Sequence, residues 1–185
     1  MDIVSRVKNI LLTPKTEWAV IAGEQTPLPA LYTGYVCILA AIPAVAMLIG
    51  GTIVGVPLSW SIRIAVISYL IGLAMVFLVG FIAAKLAPNF GGQDDMDQAL
   101  KLVAYSYTPA WLAGIFHLIP RLGIVATIAG LYSLYLLYLG IPPLMKSPAD
   151  RAVVYTVAMI IVAIVLTLVL GMVLGGILLG GAAMM

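Results

Sequence analysis

The chain has 185 residues, of which 64% are hydrophobic and 9% charged, and its mean hydropathy is +1.19. Soluble chains are about 45–50% apolar and about 25% charged, so this composition excludes a soluble globular domain and calls for lipid. The formal net charge of +2 is too small and too scattered to form a nucleic-acid-binding face.

The opening stretch, MDIVSRVKNILLTPKTEW, carries no basic run followed by an unbroken apolar core and a small-residue cleavage site, so no cleaved signal peptide is expected. Residues 1–29 form an N-terminal cytoplasmic segment. Ile3, Val4, Val7, Ile10 and Leu11 recur at helical spacing, with Arg6, Lys8 and Asn9 elsewhere on the wheel. Such an amphipathic helix either lies in the membrane interface or packs on the bundle. TPKTEW then restarts a helix, with Thr13 as N-cap and Pro14 at the first helical position. Trp18 is expected at headgroup level.

Residues 30–185 form the membrane domain. A crossing helix needs about 20 mostly apolar residues. No charge occurs between Glu24 and Arg63, where the best span is about 31–54, and 21 uncharged residues separate Arg63 from Lys85, giving a second span at 64–84. Three more follow at about 102–119, 122–142 and 152–179. The expectation is an all-α integral membrane protein with five transmembrane helices behind an N-terminal amphipathic cytoplasmic helix. One side then receives Arg6, Lys8, Lys15, Lys85, Lys101, Lys146 and Arg151, the other only Arg63 and Arg121. Lysine and arginine in short loops favour the cytoplasm, which places the N-terminus inside and the C-terminus outside.

Ionisable groups at membrane depth are costly and usually functional. Here Asp2, Glu17, Glu24, Asp94, Asp95, Asp97 and Asp150 all fall outside the five spans. No HExxH, GxSxG or P-loop string occurs, and one histidine with one cysteine is too few ligands for zinc. No catalytic residue, metal or cofactor is expected, and Cys37 is expected to be a small buried hydrophobe. Three aspartates in GGQDDMDQALK do not make an EF-hand; Asp95 and Gln98 instead match the two ends of a capping box. His117 is expected to bond backbone or water at the outer end of the third span, or to sense pH. In the fifth span Gly171 with Gly175, and Gly176 with Gly180, give small residues four apart. They suit either a homo-oligomer seam or packing within the chain, and Gly80 with Ala84 repeats the pattern more weakly.

The stretch AYSYTPAW combines Tyr105, Ser106, Tyr107, Thr108 and Pro109 at the start of the third span. Spans three and four should form an antiparallel hairpin, which brings Tyr105 and Tyr107 to the depth of Tyr132, Tyr135 and Tyr138. Pro109 cannot donate to the carbonyl of Tyr105, so in lipid that oxygen needs another donor. Thr108 or a tyrosine of the fourth helix can supply it. Ser106 has no base nearby in sequence, so this is a kinked, hydrogen-bonded polar seam and not a nucleophilic site.

LVAYSYTPAWLAGIFHLIPRLG followed by LYSLYLLYLGIPPLMK resembles the core of the Yip1 domain family in its bacterial form, and LLTPKTEWAVI and LAAIP resemble that group too. The matching positions are Pro14 and Trp18, then Tyr105, Ser106 and Pro109, then Tyr135, Tyr138 and Gly140. The resemblance implies a non-enzymatic multi-span protein of the bacterial inner (plasma) membrane that binds other membrane proteins or organises the bilayer. Eukaryotic members associate with Rab-type GTPases through a long region carrying an Asp-Leu-Tyr-Gly-Pro motif, which this sequence lacks. Expected partners are the lipid bilayer, other membrane proteins and a second copy of the chain, with no nucleic acid. The alternative is a passive carrier or channel for a small solute, lined by Tyr105, Ser106 and Tyr135.

Overall fold

A computed structural model describes the backbone of residues 2–119 and 122–182, with side-chain surroundings for all of these except 123–124, 126–127 and 173–182. Every regular element among them is helical. Helix α1 (Ile3–Leu12) opens on Asp2, whose carboxylate accepts the Ser5 N–H at 3.2 Å. Helix α2 (Pro14–Gly23) follows after Thr13 alone, and Pro14 takes the first helical position, where its missing N–H costs nothing. Thr13 stands at the expected N-cap, but its hydroxyl turns back to the Asn9 carbonyl of α1 at 3.1 Å and leaves the start of α2 without a side-chain cap.

Four stretches are long and apolar enough to cross a membrane: Leu28–Ile53, Leu58–Phe90, Ile128–Met145 and Ala149–Met172. The first comprises α3 (Leu28–Leu31), a π-turn (Tyr32–Val36) and α4 (Cys37–Ile53); the second is α5 (Leu58–Leu86) with a terminal 3-10 turn (Ala87–Phe90). The last two belong to α8 (Gly123–Met145) and α9 (Ala149–Ala182). Only 17–33% of each apolar window is buried, so most of the apolar surface faces outward. Leu70, Leu131, Ile161 and Leu168 are among the exposed residues, which is the pattern of helices solvated by lipid.

The third apolar segment is broken. Helix α6 (Met96–Ser106) starts on Asp95, which caps the Gln98 N–H at 3.0 Å; the Gln98 side chain does not return to complete the box. The helix stops at Tyr107 because Pro109 cannot donate to the Tyr105 carbonyl. It restarts as α7 (Thr108–Ala113) and tightens into a 3-10 turn (Gly114–Leu118). This segment climbs along α4. The Tyr35 hydroxyl meets Thr108 Oγ1 at 2.7 Å, Gly114 lies against Pro43, and Gly50 lies against the backbone of His117 and Leu118. A Cβ on Gly114 would stand 2.5 Å from that of Pro43, so glycine is what lets the two backbones touch.

Part of the buried core lies at the end where α1 and α2 tuck under the bundle. Trp18, Ile21, Leu100, Leu102, Ile141 and Met145 are fully buried there. Helix α9 is fastened to the same end by the Tyr155 hydroxyl, which donates to the Ala83 carbonyl, and by Tyr155 stacking on Phe90 at 4.8 Å. Gly80 and Ala84, the weaker small-residue pair, are the ones used within the chain: a Cβ on Gly80 would stand 2.7 Å from Leu100 Cδ2. Gly171 is exposed with no atom near its missing side chain, and the surroundings of Gly175, Gly176 and Gly180 lie outside the described residues.

Candidate functional site

The polar groups of the molecule gather where the N-terminal helices meet α6. Arg6 and Ile10 lie four residues apart on one face of α1, and both are buried. The Arg6 guanidinium bridges two carboxylates, Nη1 to Glu17 within α2 and Nη2 to Glu24 at its C-terminal cap, and stands 5.4 Å from the centre of the Tyr105 ring. Desolvation works against the Arg6 charge; the hydrogen bond to Glu24, with the negative potential of Tyr105, Glu24 and Glu17, outweighs it, and the pKa is raised. A fork of N–H donors facing two carboxylates in a dry setting is a geometry that arginine supplies and lysine does not.

The last carbonyls of a helix lack the usual partners four residues on, and at the end of α2 the one backbone cap bond is from the Glu24 N–H to Ile21 at 3.2 Å. Side chains from α6 supply the donors: Gln98 Nε2 to Ala22 at 3.1 Å, and Lys101 Nζ to Ile21 at 3.0 Å and Glu24 at 2.7 Å. Lys101 is 1% exposed, and burial pushes its pKa down despite the nearby negative charge of Asp95 and Glu24.

An aromatic cluster lies beside this network. The Tyr105 ring packs edge-on against Tyr35 at 4.7 Å and Trp18 at 6.4 Å. Thr108 Oγ1 donates to the Tyr105 carbonyl at 2.7 Å and meets the Tyr35 hydroxyl, so the oxygen freed by Pro109 is satisfied by the first of the donors expected for it. Gly140 of α8 closes the far side, lying against Leu102 and the Trp18 ring.

Trp18, Tyr105 and Gly140 therefore contribute to one packed structure, in which Pro109 sets the break after Tyr105, while Pro14 opens the helix that carries Trp18. Trp18 is 1% exposed and belongs to the core, not to a headgroup belt, because α2 is drawn under the bundle. The tyrosines of α8 do not converge on Tyr105. Tyr132 donates to the Leu11 carbonyl at 2.6 Å and so holds α1, while Tyr135 and Tyr138 are 43% and 37% exposed. Ser106 faces the opposite side from Tyr105, toward α8 and α9. His117 is exposed, with Nδ1 2.8 Å from the Gly114 carbonyl, and Cys37 is partly exposed. Sequence reasoning missed the Arg6–Glu17–Glu24–Lys101 network. Its one signal was the spacing of Arg6 to Ile10, since pairing across segments has no local pattern.

Among the described residues no three His, Cys, Asp or Glu side chains come together to hold a metal. The buried charges are engaged with one another or with backbone, an arrangement suited to holding helices together in lipid. The fold and this cluster define a multi-span helical membrane protein. The Yip1 domain model matches residues 8–183, and the chain belongs to that family. It is 31% identical over 156 residues to the inner membrane protein YohC of Escherichia coli K12, covering 77% of this chain and 80% of that protein. YohC of E. coli O6:H1 strain CFT073 matches to the same extent. No solved structure matches.

Proposed function

We propose that the chain is a non-enzymatic protein of the bacterial inner membrane, crossing it five times with a cytoplasmic N-terminus, and that it acts by binding other membrane proteins or organising the bilayer. The observation that carries this reading is the use to which the buried polar groups are put. Arg6, Glu17, Glu24 and Lys101 anchor α1 and α2 beneath the bundle, and this leaves Lys8 and Lys15 exposed beside the outward-facing Val4 and Leu12. A rigidly mounted face of mixed basic and apolar character suits contact with a partner or with anionic headgroups. Membership of the family, and the inner-membrane description of its E. coli relative, support the address. The climb of the broken third segment along α4 supports a fifth crossing, and the lysine and arginine count supports the orientation.

A passive path lined by Tyr105, Ser106 and Tyr135 has less support, because the three side chains face three directions. Photo-crosslinking in cells from probes at Lys8 and Asp97, both exposed, tests the reading. Capture of one discrete membrane protein from both probes is the expected result. Adducts with lipid alone, together with solute flux in vesicles holding the purified protein, would overturn it in favour of the carrier.

A further inference from the structure

Between α5, α6–α7, α8 and α9 lies a cavity of about 160 Å³, separate from the Arg6 network. Its walls are apolar, with Val79, Val103, Leu137 and Met159 from four different helices. Three lining side chains carry hydroxyls, Tyr107 and two serines, and the serines stand out. Ser106 Oγ and Ser133 Oγ both belong to cavity-lining residues, both atoms are buried, and neither has a hydrogen-bond partner. Ser106 as a residue is 2% exposed. Serine within a helix ordinarily satisfies its hydroxyl on a carbonyl of the preceding turn, as Thr156 does here on Ala152 at 2.7 Å. Two hydroxyls left free in one cavity are what an absent polar group would leave behind.

We infer that this cavity binds a small membrane-dissolved amphiphile of the phenol or alcohol class, its hydroxyl held between Ser106 and Ser133 and its apolar body against Val79, Leu137 and Met159. Size sets the class: a cavity of about 150 Å³ holds a benzene ring. Chemistry excludes the simpler filling. Water wants two to four polar partners for each molecule, and a space with room for about five waters offers few: the lining side chains that carry hydroxyls are Ser106, Ser133 and Tyr107. A single hydroxyl on an apolar ring uses both serines, each able to donate and accept.

Gly130 provides a way to block the site. It lines the cavity, and a Cβ there would meet no atom within 4 Å, so the position has room for a larger side chain. The test uses the full chain in lipid nanodiscs, with p-cresol as the probe, toluene as its counterpart lacking the hydroxyl, and saturation-transfer NMR as the readout. The wild type is expected to bind p-cresol saturably and at least tenfold more tightly than toluene. Ser106→Ala/Ser133→Ala should lose that preference while unfolding at no lower temperature than the wild type, since it removes unpartnered hydroxyls. Gly130→Leu should bind neither compound. Absence of saturable p-cresol binding by the wild type overturns the inference, as does retention of the preference in the double alanine variant. If Gly130→Leu fails to fold, the double variant alone decides.

Discussion

The indole of Trp18 occupies the space that a side chain on Gly140 would need. A Cβ on Gly140 would stand 2.9 Å from two atoms of the Trp18 ring and 2.5 Å from Leu102 Cδ1. The absence of one methyl group on α8 thus admits both a ring from α2 and a side chain from α6, and ties the N-terminal segment to the bundle. Gly140→Ala should therefore destabilise the protein by about 1–3 kcal/mol through overpacking. Gly171→Ala, where nothing lies within 4 Å, should be neutral or stabilising by up to about 1 kcal/mol from helix propensity. Unfolding in detergent micelles measures both, and a loss at Gly171 would reveal a contact with another chain.

Removing one member of the buried ion network should cost far more than removing an exposed pair. Glu17→Ala removes one of the two carboxylates on the buried Arg6 charge; breaking a buried pair outright costs about 3–5 kcal/mol, and the bond kept to Glu24 places the loss toward the lower end of that range. The Lys85–Asp94 pair at 2.6 Å has both side chains well exposed, and Lys85→Ala should cost about 0–1 kcal/mol. Equal losses in the two variants would mean that the Arg6 cluster is hydrated.

Thr108 serves two groups at once. Thr108→Val keeps the shape but leaves the Tyr105 carbonyl and the Tyr35 hydroxyl without a partner, at about 1–3 kcal/mol for each. Tyr135→Phe, on a side chain 43% exposed, should change stability by less than about 0.5 kcal/mol. If Tyr135→Phe proves the more damaging of the two, the α8 tyrosines do more than the fold assigns to them.

Lys101 predicts a pH dependence. Its folded pKa lies below the ordinary lysine value of about 10.4, so in the window between the two the unfolded chain binds more protons than the folded one. The charged form is disfavoured in the folded state, and the Lys101 contribution to stability rises with pH across that window and levels off above it. Other groups titrate nearby, so the quantity to measure is the stability difference between wild type and Lys101→Met from pH 7 upward. A difference that falls with pH would contradict the assignment. At neutral pH the variant should still be the less stable of the two, because the Glu24 carbonyl loses its Lys101 donor and the Ile21 carbonyl keeps only the Glu24 N–H.

Much of the architecture is legible without a structure because it follows from composition and local chemistry. A charge-free apolar run of about 20 residues forms a helix in lipid whatever surrounds it, since its backbone has no other way to bond. The stretches around 31–54, 64–84, 122–142 and 152–179 all fall in long helices for that reason. Asp95 capping Gln98, Pro14 opening α2, and Thr108 rescuing the carbonyl freed by Pro109 are likewise consequences of residues at most four apart.

What the tertiary structure decided is where the inward faces point and which distant groups share them. Trp18 could stand at a headgroup or in a core, and Arg6 could reach water or a buried carboxylate, with identical local sequence. The choice rests on α1 and α2 being drawn beneath the bundle by Glu17, Glu24, Lys101 and Gly140, which lie up to more than a hundred residues away. The same holds for the two serines: Ser106 and Ser133 share a cavity only because α6 and α8 cross there. Local pattern determines that a residue is helical and apolar; burial and pairing are properties of the assembled helices, because both depend on the area and charge that other segments bring.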